Sequence, residues 1–172
     1  MTNKWRENFF RPRGIFKMTV RKAGEIIEVY EDHNMIVNNA KLLMAHLIGG
    51  DTSGRSITKI GFGTNNATPL PDNASLTNPY VKQIGSISFP GFSTDDINVG
   101  PIFGLPDDLI VAYYGYQVQF DWELLTTEGN GRAISEFGLI SENNTLFSRR
   151  ARNNPIHKES DISIEGSWII TL

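Results

Sequence analysis

From Tyr114 to Leu124 the chain alternates strictly: Tyr114, Tyr116, Val118, Phe120, Trp122 and Leu124 hold the even positions, and Gln117, Gln119, Asp121 and Glu123 the odd ones. Side chains that point to opposite faces in turn belong to a β-strand, and this strand has one face that packs and one that is wet. The alternation also assigns Tyr114, Tyr116, Phe120 and Trp122 to the core rather than to an exposed sugar-stacking platform. The turn residues "EGNG" lead into "RAISEFGLIS", "ENN" turns again into "TLFSRRAR", and the chain ends on "DISIEGSWIITL", where Ile162, Ile164, Trp168, Ile170 and Leu172 share a parity. Successive strands joined by turns, with no helical segment between them, call for antiparallel pairing.

Upstream, Phe16, Met18 and Val20 alternate with Lys17, Thr19 and Arg21, and "KAGE" supplies a turn before "IIEVYED", which predicts a β-hairpin. The period then changes. Ala40, Leu43, Met44 and Leu47 recur at helical spacing, with Asn38 as the expected N-cap and Gly49-Gly50 as the stop. This helix is apolar on nearly every side, which predicts that it packs on a sheet. Short strands are expected at "ITKIGF" and, as one piece, at "YVKQIGSISF", with long loops between and after them. Together the elements predict a mainly β fold: an antiparallel, jelly-roll-like β-sandwich with one short α-helix and long loops. Residues 1–14 show no period and are expected to form an extended arm; residues 15–172 form the sandwich domain.

Composition narrows the chemistry. The chain has no cysteine, which removes disulfides, thiolate nucleophiles and thiolate-bound metals. The histidines His33, His46 and His157 form no paired ligand motif, "GGDTSG" and "GFGTNN" read as turns without the lysine of a phosphate loop, and no G-x-S-x-G elbow is present. His46 reads as a half-exposed packing residue. The acidic pairs at 95–96 and 107–108 lack calcium-loop spacing. These observations predict a protein that is not an enzyme and holds no cofactor or metal. Sixteen Lys and Arg against nineteen Asp and Glu leave a formal charge of −3, so nucleic acid is an unlikely global partner. No apolar run approaches the length of a signal peptide's core or a membrane span, and the reading is of a soluble protein.

One local cluster resists that reading. "TLFSRRARNNPIHK" packs Arg149, Arg150, Arg152 and Lys158 into fourteen positions. On a strand, Arg149 and Arg150 point to opposite faces, so they cannot form one flat cationic patch. One of the two must approach a packed surface and needs a partner. Glu136 on the preceding strand is the expected one, in a cross-strand ion pair with Arg149. Pro155 and Lys158 are expected to bridge to the last strand.

The string "AISEFGLISENNTLFSRRARNNPIHKESDISIEGSWIITL" resembles the C-terminal signature of tailed-bacteriophage tail-collar fibre and baseplate-associated proteins. The matching positions are Ile134, Glu136, Gly138 and Leu139, then Leu146, Phe147 and Arg149, then Pro155, Ile156 and Lys158, and the last strand through Trp168. "EDHNMIVNNAKLLMAHLIGG" is similar to the "HN-x-IV" entry into a helix, and "KIGFGTNNATPLPDNASL" to a glycine-led loop with a proline, an aspartate and a leucine. With no long fibrous stretch after the last strand, the chain is expected to be a compact connector or the head of such a protein, not a fibre shaft. The resemblance implies a structural virion component in tail, baseplate or collar, made in the cytoplasm of a bacterial host. It would act as a connector or fibre-attachment protein and touch copies of itself and other virion proteins.

Candidate contact residues are Trp5, Phe9 and Phe10, aromatics interleaved with Lys4, Arg6, Arg11 and Arg13 in the arm; Phe92, Ile102 and Phe103 in the loop-rich stretch; and Tyr113, which sits off the alternating parity. The alternatives are a carbohydrate- or receptor-binding module that takes a host surface glycan, a capsid decoration protein, and a nucleic-acid binder using the Arg149–Lys158 cluster.

Overall fold

The computed structural model describes residues 12–90 and 117–172. The predicted first hairpin is present as β1 (Arg13–Lys22) and β2 (Glu25–His33). Its two-residue turn, Ala23-Gly24, takes φ of 49° and 89°, the paired positive angles that match the right-handed twist of a hairpin. β1 takes in Arg13 and Gly14, the last two residues of the expected arm. A short β3 (Met35–Ile36) leads into α1 (Asn38–Ile48), followed by β4 (Ile57–Gly63), β5 (Tyr80–Gln83) and β6 (Ser86–Ser88). After residues 91–116 come β7 (Gln117–Leu124), β8 (Arg132–Ser141), β9 (Leu146–Lys158) and β10 (Ile162–Thr171).

The strands form two antiparallel five-stranded sheets, ordered β2-β1-β10-β7-β6 and β3-β9-β8-β4-β5, in a sandwich-like arrangement with one short helix. The mainly β class read from the alternation is therefore the class of the fold. Inward residues of both sheets share one core. Phe16 is its hub, stacked on Trp122 at 5.6 Å between ring centroids and meeting Phe137 at 4.7 Å and Trp168 edge-on at 5.0 Å. Phe120, Trp122 and Leu124 are buried as their parity requires, and so are Ile162, Ile164, Trp168 and Ile170. Leu172 lies beyond the strand and is exposed.

Four sequence expectations are corrected. "YVKQIGSISF" is two strands, because the chain changes sheets at Ile84-Gly85: the Ile84 N–H donates to Thr58 O at 2.9 Å in one sheet, and the Gly85 N–H to Asp121 O at 2.8 Å in the other. A sandwich corner of this kind leaves no change of period in the sequence. The helix N-cap is Val37, whose side chain makes no capping bond. Asn38 is the first helical residue, and its N–H donates to Pro71 O at 2.7 Å, so a loop carbonyl does the work expected of a side chain. The strand expected at "ITKIGF" is present as β4 and runs on to Gly63, so the "GFG" that opens "GFGTNN" is strand, not turn: Gly61 pairs with Gly138, and a methyl on Gly61 would meet Leu76 Cδ1 at 2.6 Å. Finally, Pro155 and Lys158 do not bridge strands. β9 continues through them, with Ile156 opposite Ile134 and Lys158 opposite Arg132, and Pro155 sits in the irregular stretch that faces Ser135, where a missing N–H is tolerated.

Candidate functional site

Chemistry is densest on β9, whose arginines are divided between two surroundings. Phe137 and Leu139 of β8 face the shared core, while Glu136 and Gly138 face the other way, under the loop of residues 64–79. Arg149 lies opposite Gly138 and is 2 % exposed, with Glu136 at 1 %. Its Nε donates to Glu136 Oε2 at 2.7 Å, Nη1 to Ala67 O and Asn73 Oδ1 at 3.0 Å each, and Nη2 to Asn65 O at 3.2 Å. The second carboxylate oxygen accepts the N–H groups of Thr77 at 2.6 Å and Asn65 at 3.3 Å. One ion pair thus fastens both ends of the loop to the sheet, and each nitrogen and oxygen of the two charged groups has a partner.

Beside it lies a second, smaller apolar cluster. Leu76 seats its methyls over Gly61 and Gly138 and packs with Val37, Ile140 and Leu146, against Met35. Asn34 donates to the Ser148 hydroxyl, which itself donates to Met35 O at 2.9 Å.

Arg150 projects from the opposite face of β9 and crosses to the other sheet. Its Nε donates to the Tyr30 hydroxyl at 3.0 Å, Nη2 reaches Asp32 Oδ2 at 2.6 Å, and Nη1 reaches His33 O at 3.0 Å. Arg152 pairs with Glu28 at 2.9 Å, and both guanidinium carbons lie 5.6 Å from the Tyr30 ring centroid. Tyr30 is therefore held between two cations at the rim where β2 meets β9. Lys158, 1 % exposed, donates to Asn130 Oδ1 at 2.7 Å, Glu159 O at 3.1 Å and Thr126 O at 3.3 Å, which ties down the β7–β8 turn. Burial holds its pKa below the ordinary lysine range, against the opposing charges of Glu128 and Asp161. In the same turn, burial works against ionising Glu128, but the Lys82 hydrogen bond, the Leu125 N–H and the nearby ammonium charges outweigh it and leave its pKa lowered.

None of the four cationic side chains of the cluster is a free flat patch. Arg149 and Arg150 take opposite faces, as strand geometry requires, and the Glu136–Arg149 pair is diagonal, since Glu136 lies opposite Ala151. The Tyr30 clamp was missed by sequence reasoning. The only signal was a tyrosine within the acidic strand "EVYED", and the pairing of that rim with β9 was not readable. His46 is half-exposed and lies 2.8 Å from Asp51. Trp5, Phe9, Phe10, Phe92, Ile102, Phe103 and Tyr113 lie outside the described residues, as do Tyr114 and Tyr116.

Two surfaces remain. The outer face of the first sheet carries a groove of about 600 Å³ lined by Lys17, Gln119, Asp121, Glu123, Glu165 and Ser167 among others. The free side of β2 exposes Ile26, Ile27 and Val29, at 54, 57 and 73 %. Among the described residues no cluster of three potential metal ligands occurs, and no helix is long and apolar enough to cross a membrane. Comparison with known proteins finds no matching family model, no matching curated protein and no matching solved structure.

Proposed function

We propose that this protein is a non-enzymatic structural component of a tailed-phage particle, in tail, baseplate or collar, and acts through contacts between subunits. The observation that carries this reading is the meeting of the three separated stretches that resemble such proteins. Asn34, Met35 and Val37 of the first, Gly61 and Leu76 of the second, and Glu136, Gly138, Leu146 and Arg149 of the third pack into one unit on the outer face of the second sheet. Motif residues that interlock in space have a common physical purpose, here fixing a long loop rigidly to a sheet. A rigid sheet with fixed loops and an apolar edge suits repeated contact with neighbours. The test is fractionation of purified particles together with imaging of particles made without this protein. The expected result is a fixed stoichiometry in the particle and a missing piece in its absence; particles that never contain the protein would overturn the reading.

A second reading rests on the groove of the first sheet, where amide, carboxylate and hydroxyl groups line a sandwich face as they would for a glycan. Gln119 and Ser86 already bond both Asp121 oxygens, at 2.8 and 3.0 Å, which orients that carboxylate. Glycan-array binding that disappears in Glu165→Ala and Gln119→Ala would favour it, and silence on all glycans would count against it.

A further inference from the structure

We propose that the free edge of β2 is the docking surface for residues 1–11 of a second copy of this chain. The proposal deepens the assembly reading and rests on it for the presence of a second copy. β2 is a nine-residue strand at the end of its sheet; among the described residues its strand ladder is with β1 alone, and its other hydrogen bonds to the rest of the fold come from the Arg150 and Arg152 side chains, of which one reaches the backbone, at His33 O. A strand of that length with Ile26, Ile27 and Val29 exposed is the kind of edge that proteins ordinarily blunt or cover. The β-bulge at Val20/Arg21 leaves Ile26 and Ile27 exposed together instead of alternating.

The occupant follows from charge and reach. Two β2 edges are poor partners for each other, because each carries Glu25, Glu28, Glu31 and Asp32, which Lys17, Arg150 and Arg152 offset only in part. An acidic, aliphatic edge calls for a cationic, aromatic segment. Residues 1–11 supply one, with Lys4, Arg6 and Arg11 against Glu7, and Trp5, Phe9 and Phe10.

The arm of the same chain fits badly. It joins β1 beside the last residue of β2, since Ile15 pairs with His33, and Arg13 and Gly14 are already paired with Thr171 and Ile170. Folded back along its own β2, it would leave Phe9 and Phe10 within about 10 Å of the His33 end, whereas Val29 and Ile26 lie roughly 13 and 23 Å along the strand. An arm from another copy has free register and can bring its aromatics to the isoleucines. Its three aromatic side chains would bury about 450–750 Å². A reciprocal exchange doubles this to about 900–1,500 Å², which approaches the area of a specific dimer.

The test uses the full chain in sedimentation over a concentration series, with an arm variant (Trp5→Ser, Phe9→Ser, Phe10→Ser) and an edge variant (Val29→Lys), both checked for folding by circular dichroism. Wild type is expected to self-associate, and each variant to do so about a hundredfold more weakly or worse, since the lost apolar burial spans several kcal/mol and each 1.4 kcal/mol is tenfold. Mixing the two variants should restore a heterodimer, because one supplies an intact edge and the other an intact arm. Association that ignores either variant, or a mixture that stays monomeric, overturns the arm contact while leaving the assembly reading standing. Wild type that is monomeric at every concentration and joins no particle overturns both.

Discussion

Replacing Arg149 with methionine keeps an unbranched stem but shortens the side chain and removes its five donors. Glu136 would then be a carboxylate buried to within 1 % exposure, with only the Thr77 and Asn65 N–H groups facing it. Ala67 O, Asn65 O and Asn73 Oδ1 would each lose a donor in the same step. Breaking a buried pair from one side costs about 3–5 kcal/mol. Of a total stability of about 5–15 kcal/mol, that is a fifth or more. Glu136→Gln is milder: its one oxygen still accepts from the Thr77 and Asn65 N–H groups, but its NH2 then faces the Arg149 Nε–H and that charge-assisted bond is lost, at about 1.5–3 kcal/mol, while the guanidinium keeps its other acceptors. The double variant should be less destabilised than the sum of the two by about 0.5–3 kcal/mol, because the second change removes a penalty created by the first. Urea unfolding gives the three values, and amide exchange over residues 64–79 gives the location, since those amides should lose protection first. Arg149→Met within about 1 kcal/mol of wild type, or strictly additive changes, would refute the claim that this pair fastens the loop.

Three further outcomes follow from other parts of the structure. Tyr30→Phe removes the hydroxyl that accepts from Arg150 but keeps the ring between Arg150 and Arg152; it should cost about 1–2 kcal/mol in chemical unfolding, and Tyr30→Leu distinctly more. Gly138→Ala would place a methyl 2.8 Å from Leu146 Cδ1 and 3.0 Å from both Leu76 methyls; overpacking predicts a loss of about 1–3 kcal/mol, part of it recovered by Leu76→Val in the same chain. The Glu128 carboxyl has a lowered pKa in the folded state, so its contribution is fully present above the ordinary carboxylate value of 4.5 and is lost as pH falls through the lowered value. The stability difference between wild type and Lys82→Met should therefore be flat at neutral pH and shrink only in acid; a difference that grows as pH falls would contradict this assignment.

The sequence made the strands legible because burial on one face imprints a period of two, and it made the Glu136–Arg149 pair legible because neighbouring strands of a hairpin bring such residues together. Its silences also have physical causes. The passage of the chain between sheets at Gly85 is written in backbone hydrogen bonds, which leave no side-chain pattern. The cap on α1 comes from Pro71 O, a main-chain atom distant in sequence, so Asn38 was credited with a task it does not perform. Gly61 and Gly63 read as turn residues because glycine usually marks a turn; here Gly61 is a slot for Leu76 and Gly63 makes room for Glu136. The Tyr30 clamp depends on which rim of one sheet meets which rim of the other, and strand order is set by the whole chain.

β1 pairs along its whole length with β10, so the first and last strands of the described residues lie side by side within one sheet. On the ribosome, the β1–β2 hairpin would emerge well before its central partner β10. Until then one face of Phe16, Met18 and Val20 has no β10 beside it. Contacts so distant in sequence close slowly, and the intermediate exposes apolar strand edges. A chain cut before Ile162 would lack the strand that joins both halves of the sheet, and is expected to aggregate rather than form a smaller fold.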